Sequence, residues 1–526
     1  MRVTARTDSN KPSISLDRTV ALLKVHVKRF ATALGFVTLL CILGAVWTDF
    51  HRGYWYDEGW TSYFAQHDVA LADALSGRWM QDIHPPFYSF VVWIFQPLTG
   101  DQIANQRLIN LLPLLVISLA FIAAFIKSEQ HGRWFVAAFL LAMLPMKDFQ
   151  YFLSEARSYV FVLLGTASMI WFLYRIVSKQ QDYERRDWRI LTALSLSSFT
   201  SINLHYTNGI IGLTLLGGFT LLLAATKRRR WAWRLFALAS ICGLVSALLF
   251  YLQVPLLSQH RTWFDDVAPQ KFIWNLPLLV FGAAKANIVV TLAAICGAWK
   301  LVTSPSRPAK FGYTSMLVLC AAIATSAFVV LNAFKPLASY RYAIALEPLY
   351  VSILASCAAS LLERHSILRW SAVIYAAVMI PRHSFVSASQ VNWFATAQII
   401  KDEQRRCPGV NIYVAEPASI LQKNRIYDWP NQAEVERHLY EQVAARFNFR
   451  VEPLASRRAL SRCPTIIWRE HMPSLAVSAV EVARKEGLVL SAEAAAGART
   501  IKGSSGVVLY YPPLDGSQSV LKPSVR

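Results

Sequence analysis

Two stretches, Trp55-Tyr56-Asp57-Glu58-Gly59-Trp60 and Asp82-Ile83-His84-Pro85-Pro86-Phe87-Tyr88, follow the first long apolar block of the chain. They set two adjacent carboxylates and a histidine just beyond a hydrophobic span. Ionisable groups at such a place are costly to desolvate and mark a functional site by default. The pattern points to an enzyme working at the outer face of a membrane.

The rest of the chain supports the membrane. Of 526 residues, 55% are hydrophobic and only 16% charged, against about a quarter charged in soluble chains. The apolar residues gather in blocks near the ~20 residues that a helix needs to cross hydrocarbon. The fold class is a polytopic α-helical membrane protein. Its net charge of +21 lies largely in short loops, which the positive-inside rule explains without any nucleic-acid partner. Residues 1–28 are polar and the first apolar block is long enough to anchor, so a cleaved signal peptide is not expected.

Basic clusters fix the topology: Arg18 to Arg29, Lys127/Arg133, Arg175 to Arg189, Lys227 to Arg234, Lys300 to Lys310 and Arg364 to Arg369. With all of them cytoplasmic, about eleven spans follow, the amino terminus inside and the carboxyl terminus outside. They lie near Phe30–Trp47, Leu108–Ile126, Trp134–Leu153, Tyr159–Ile176, Ile190–Leu204, Gly209–Ala225, Leu235–Leu257, Leu276–Trp299, Tyr313–Leu331, Tyr342–Leu362 and Leu368–Ile380. The short, Pro-headed piece Phe87–Leu98 reads as an interfacial or re-entrant helix in an outer loop, 48–106. The expected domains are a cytoplasmic tail, 1–29, a transmembrane domain, 30–380, and a soluble α/β domain, 381–526, on the outer side. Helical patterns at Ala433–Phe447 and Leu475–Glu486 and β-rich runs at Asn411–Ala415, Thr465–Trp468 and Gly506–Tyr511 support the last. Its two cysteines, Cys407 and Cys463, are disulfide candidates in an oxidising compartment. The other five lie in or near apolar spans.

Under this topology the chemistry-bearing residues gather at outer ends of spans. Asp57, Glu58 and His84 share the first loop, and Arg107 opens the second span. Glu155 and Arg157 lie between the third and fourth spans, His205 and Tyr206 between the fifth and sixth, and Lys335, Arg341 and Tyr342 between the ninth and tenth. Each has a plainer reading. Asp57-Glu58 suits a helix cap, Pro85-Pro86 simply stops a helix, and Glu155 with Arg157 suits a structural ion pair. Their conjunction favours one outward-facing cavity.

The combination of Asp57-Glu58, Asp82-x-His84-Pro85-Pro86, Arg107 at the second span and Glu155-Ala156-Arg157-Ser158-Tyr159 resembles the GT-C glycosyltransferases. It is similar to the branch holding protein O-mannosyltransferases, the lipid A aminoarabinose transferase and rhizobial lipopolysaccharide galacturonosyltransferases. The likeness spans roughly residues 30 to 350 and leaves the carboxyl-terminal domain uncovered. It implies an inverting transfer of one sugar from a polyprenyl-phosphate donor to an envelope glycan, lipid or protein acceptor. The place implied is the outer face of a bacterial cytoplasmic membrane.

By that resemblance Asp57 is the catalytic base, with Glu58 orienting the acceptor or tuning Asp57. Arg157, Lys335 and Arg341 are candidates for the donor phosphate, with Tyr342 adding a hydrogen bond. His84, Arg107, Glu155, His205 and Tyr206 are substrate-binding or supporting residues. No cofactor is required; a divalent metal on His84 and Glu155 is an open alternative, against which stands the lack of an Asp-x-Asp pair between the third and fourth spans. A glycan ligase or polymerase and a lipid-carrier transporter are the competing functions. The first usually lacks the early Asp-Glu and His-Pro-Pro pair, and the second tends to show internal repeats. The sugar, the acceptor and the oligomeric state are not encoded in any motif.

Overall fold

The computed structural model describes residues 16–82, 84–178, 187–259, 273–303, 308–334, 341–389, 393–414, 431–454, 463–470, 478–485, 490, 492–503 and 506–512. The first helix, α1, runs Leu16–His51. Four short helices follow: α2 (Tyr56–Phe64), α3 (Leu71–Gly77), α4 (Phe87–Thr99) and α5 (Ile103–Arg107). The bundle continues with α6 (Leu111–Lys127), α7 (Gln130–Met143), α8 (Lys147–Leu153), α9 (Tyr159–Ser178), α10 (Asp187–Asn203), α11 (Tyr206–Ala225) and α12 (Arg229–Gln259). It closes with α13 (Asn275–Ala286), α14 (Ile288–Thr303), α15 (Pro308–Phe334), α16 (Leu346–Arg364) and α17 (Ser366–Ala388).

Among the described residues seven helical stretches are long and apolar enough to cross a membrane, or nine when two bent pairs each count as one span. Every block expected to span falls on helix, but two are broken. α7 and α8 meet at 73°, α13 and α14 at 101°. The first break falls at Pro145, whose ring cannot continue a helix. The second falls at Asn287, whose amide donates to Leu141 O and Ala372 O, both at 2.9 Å, while its Oδ1 accepts from Val290 N at 3.3 Å. The side chain thus caps α14 and ties the bend to two neighbouring helices. With 13 residues, α4 is about 20 Å long at 1.5 Å per residue, too short for a ~30 Å hydrocarbon core.

One hydrophobic core, including Phe149, Leu163, Phe219 and Leu349, runs through the bundle. The buried α16 packs against α7, α9, α14 and α15. By contrast α12 leaves Ile241, Leu244 and Leu248 exposed, as a lipid-facing helix does.

The carboxyl-terminal region comprises α18 (Trp393–Arg406), β1 (Asn411–Val414), α19 (Gln432–Arg446), β2 (Glu452–Pro453), β3 (Thr465–Glu470), α20 (Ala479–Lys485), α21 (Ala492–Gly497), β4 (Arg499–Lys502) and β5 (Gly506–Tyr511). The sheet order is β2-β1-β3-β5-β4. β1 is parallel to both β2 and β3, and β5 antiparallel to both β3 and β4. The central β3 is buried along its whole length. The two edge strands escape sequence reading, because β2 has only two residues and β4 begins and ends on exposed basic side chains. Cys407 and Cys463 are joined by a disulfide with Cα atoms 5.8 Å apart. Trp393, Tyr413 and Trp468 are buried in the cores of this region.

Candidate active site

The site is built around a fully buried ion pair. Glu58, in the first turn of α2, meets Arg107, the last residue of α5, side on: Nε reaches Oε1 at 2.7 Å and Nη2 reaches Oε2 at 2.6 Å. Two backbone donors complete the carboxylate, Trp55 N at 2.9 Å and Ala156 N at 2.8 Å. The bond from Trp55 N is half of a capping box, which sets where α2 begins. Arg107 spends its remaining donors on three carbonyls, Asp49 O, Arg52 O and Gly53 O. Burial pushes the Glu58 carboxyl up, but Arg107, Arg52 and the Ala156 N–H outweigh it and hold it below the usual carboxylate range. Glu58 therefore stays ionised inside the protein, and it fastens α2 to α5 and to residue 156.

Of the two expected roles for Glu58, orienting the acceptor or tuning Asp57, direct contact with an acceptor does not fit this burial. All four of its hydrogen bonds go to protein groups, and both partners of the pair are shielded from solvent. Glu58 and Arg107 fix α2 against α5 and residue 156.

Asp57 points the other way. Its carboxylate is 33% exposed and accepts from Arg341 Nη1 at 2.7 Å. Arg341 stands at a crossroads. It also donates to Tyr151 OH at 3.2 Å, approaches Glu155 Oε1 at 3.7 Å and lies over the Trp55 ring. Glu155 is buried with neither carboxylate oxygen hydrogen-bonded. Burial raises its pKa against the pull of Arg341 and Arg52. A buried acceptor without a donor is costly, and it faces the region where Asp57 and Arg341 meet.

Arg157 forms the second cationic wall. Its Nη1 donates to Asp57 O at 3.2 Å, and its Nη2 donates to His84 Nε2 at 3.1 Å. Burial works against its charge, but Asp57, Tyr159, Asp82 and Glu155 reverse that and raise its pKa. On its other side His84 Nδ1 reaches Asp82 Oδ1 at 3.2 Å. The ring of His205 lies 5.3 Å from that of His84, 5.6 Å from that of Tyr159 and 5.2 Å from that of Tyr342. Burial, then His84 and Arg157, drive His205 well below its ordinary pKa. It is a neutral ring whose Nδ1 pairs with Thr207 and whose Nε2 has no partner. Burial also lifts the Tyr342 phenol well above its usual value, so it is a proton donor rather than a phenolate.

Asp57, His84, Glu155, Arg157, His205, Arg341 and Tyr342 thus form one connected cluster. Tyr206 does not enter it directly: its hydroxyl donates to Gln253 Oε1. Lys335 lies outside the described residues. Among the described residues no group of three or more His, Cys, Asp or Glu side chains is gathered for a metal ion. His84 is turned to the Arg157 guanidinium, a cation where a metal site needs donors, so the His84–Glu155 metal reading finds no support in the donor set.

Three supporting residues escaped the motifs. Gln253, buried on α12, donates to Asp82 O at 2.7 Å, His84 O at 3.1 Å and Trp79 O at 3.3 Å. It fixes the loop that carries His84. Arg52 holds Tyr151 O and Ser154 O, and Asn110 holds Glu155 O at 2.6 Å. Gln253 and Asn110 did carry a signal, since each is an amide inside or bordering an apolar run.

No protein-family model matches the chain, and no curated protein matches it by sequence. Solved structures do match. The crystal structure of ArnT from Cupriavidus metallidurans bound to undecaprenyl phosphate aligns with a TM-score of 0.54 at 13% identity, covering 94% of this chain and 98% of that one. The same protein in the apo state gives 0.51 at 14% identity with the same coverage. Sequence identity at this level speaks for the fold, and a shared length of 94% of the chain is too great to leave the carboxyl-terminal region out. The chain shares the fold of ArnT.

Proposed function

We propose that the protein is an inverting glycosyltransferase that moves one sugar from a polyprenyl-phosphate donor to an acceptor hydroxyl of the cell envelope. The observation that carries this reading is the partly exposed Asp57 carboxylate set 2.7 Å from Arg341, with Arg157 bonded to the backbone of the same residue. A base beside two fixed cations is what this transfer needs. Asp57 takes the proton of the acceptor hydroxyl as its oxygen bonds to the anomeric carbon. The bond from that carbon to the phosphate oxygen breaks on the opposite side, which inverts the centre. The leaving polyprenyl phosphate carries the negative charge, and Arg341 and Arg157 stabilise it.

Arg341 spans Asp57 and Glu155, so an entering phosphate competes with Asp57 for the same guanidinium. Loss of that partner makes Asp57 more basic when the donor is in place. Glu155 and the free Nε2 of His205 are available to sugar hydroxyls. The ArnT structure bound to undecaprenyl phosphate supports a polyprenyl-phosphate ligand for this fold. The distribution of basic loops supports a site and a carboxyl-terminal domain, residues 381–526, on the outer side of a bacterial cytoplasmic membrane.

Membranes carrying wild type or Asp57→Asn, incubated with radiolabelled polyprenyl-phosphate sugars and an envelope extract, test the reading. Transfer from one donor that needs Asp57 names both the reaction and the sugar. Equal transfer by both proteins refutes Asp57 as the base, and no transfer by a folded wild type from a broad donor panel refutes the reaction class.

A further inference from the structure

The carboxyl-terminal region does not hang from the bundle as a separate module. One hydrophobic cluster joins Tyr54, Ile103 and Ala156, which flank the Glu58–Arg107 pair, to Trp393, Leu439 and Trp468 of that region. Its helix α19 lies directly on α2. Tyr56 OH donates to Glu436 Oε1 at 3.2 Å, and Glu436 is itself held by Gln432. Gln66 Nε2 donates to His438 Nδ1 at 3.1 Å, and His438 Nε2 meets Ser62 Oγ at 3.0 Å. The Ser62 hydroxyl donates onward to Asp101 O at 3.2 Å. Between these polar contacts a Cβ at Gly59 would sit 3.1 Å from Leu439 Cδ2, so the absence of a side chain lets the helices close. At its far end α19 reaches α1 through Arg446 Nη2 and Phe50 O, 2.6 Å apart.

We propose that α19 is a clamp that positions the base: Glu436 and His438 hold the outer face of α2 so that Asp57, in its first turn, stays registered against Arg341 and Arg157. The role rests on Asp57 being the base, as proposed above. α2 has nine residues and no transmembrane anchor of its own, so its placement depends on what covers it. On one side it is fastened by Glu58 to Arg107; on the other side the fastener is α19. The polar chain is directional. His438 accepts at Nδ1 and donates at Nε2, which needs the neutral ring, and burial provides it by lowering its pKa to about 4. Asp68, Asp101 and Arg78 are the charged groups around that ring, Tyr63 the aromatic neighbour. A misplacement of about 1 Å in a catalytic group costs on the order of a hundredfold in rate, so a loosened α2 is read in turnover rather than in donor affinity.

The test uses the full-length protein in nanodiscs with the donor that the panel assay above selects. Tyr56→Phe removes one hydroxyl, and His438→Ala removes the relay. Both are expected to lower kcat about tenfold or more while the donor KM stays within about twofold, with His438→Gln recovering most of the loss. A rescue arm makes the role positional. The Cβ built at Gly59 lies 3.3 Å from Leu439 Cβ, just short of the ~3.5–4.5 Å of a disulfide. Leu439→Cys removes the methyl that a Cβ at Gly59 would meet, so Gly59→Cys with Leu439→Cys should cross-link α2 to α19 after a shift of a few tenths of an ångström. Oxidation in the His438→Ala background is expected to restore kcat, and reduction to remove it again. Wild-type kcat in Tyr56→Phe and His438→Ala, with transfer still abolished by Asp57→Asn, overturns the clamp and leaves the base standing. Failure of the cross-link to restore turnover also overturns it. A wild type without Asp57-dependent transfer removes the functional reading and the role built on it together.

Discussion

Adjacent carboxylates with opposite fates give the sharpest prediction. Glu58→Gln keeps the size of the side chain but removes its charge and turns one acceptor into a donor. In the native structure that group receives four hydrogen bonds, two from Arg107 and one each from Trp55 N and Ala156 N. Both members of the pair are solvent-free. Removing one partner of such a pair costs about 3–5 kcal/mol, because the other charge is left buried without compensation. That is roughly a hundred- to several-thousandfold in the local opening equilibrium. Hydrogen exchange should report it where the bonds end: the amides of Trp55 and Ala156 lose protection by that factor. Asp57→Asn behaves otherwise. Its carboxylate is 33% exposed with an ion pair to Arg341, a kind of contact worth about 1 kcal/mol or less. Protection at Trp55 and Ala156 should be unchanged while transfer falls by about 10²–10⁴. The reasoning is refuted if Glu58→Gln leaves both amides as protected as in wild type, or if it abolishes turnover with protection intact. The second result would return Glu58 to the chemistry.

The docking of α19 should weaken in acid. Because burial lowers the folded pKa of His438 from 6.5 to about 4, the neutral ring's contribution is complete above pH 6.5 and is lost as pH falls towards 4. The full loss amounts to about 3 kcal/mol. Exchange in residues 56–66 should rise over that window in wild type and stay flat in His438→Gln. Arg341→Ala removes charge-assisted bonds worth about 1.5–3 kcal/mol, so polyprenyl phosphate should bind about ten- to a hundredfold more weakly by titration. Unchanged affinity would remove Arg341 from the phosphate site. Cutting the Cys407–Cys463 bridge, which closes 56 residues, should cost the carboxyl-terminal region about 4 kcal/mol on the chain-entropy estimate. Protease nicking of that region under reducing conditions measures it.

Much of the fold was legible because hydropathy and basic loops report a membrane span directly. The breaks at Pro145 and Asn287 were not, since one polar or cyclic residue hardly changes the mean over a span. Asp57, His84, Glu155, Arg157, His205 and Arg341 could be gathered in advance because each sits at the same end of its span. Assigning Glu58 to the same surface as Asp57 went against helix geometry, for neighbours along a helix do not face each other. Gln253 was hidden by distance: its bonds run to residues about 170 positions earlier. The same holds for the contact of Tyr56 with Glu436, 380 positions apart. Patterns of period 3.6 or 2 describe what an element buries, not which distant element receives it.

The cost of the Glu58–Arg107 pair explains its position. A buried ion pair returns little net stability beside a well-packed apolar substitute, so stability alone does not account for one placed at this boundary. Its backbone partners do. Trp55 N precedes Asp57 by two residues, and Ala156 N lies between Glu155 and Arg157. By accepting from both, Glu58 sets the distance between the segment bearing Asp57 and the segment bearing Arg157. An apolar pair of equal volume fills the space but makes neither bond. With α19 on the opposite face of α2, Asp57 is held between this charge pair and the contacts of Glu436 and His438. In the proposed transfer, precision would thereby be set by groups away from the sugar.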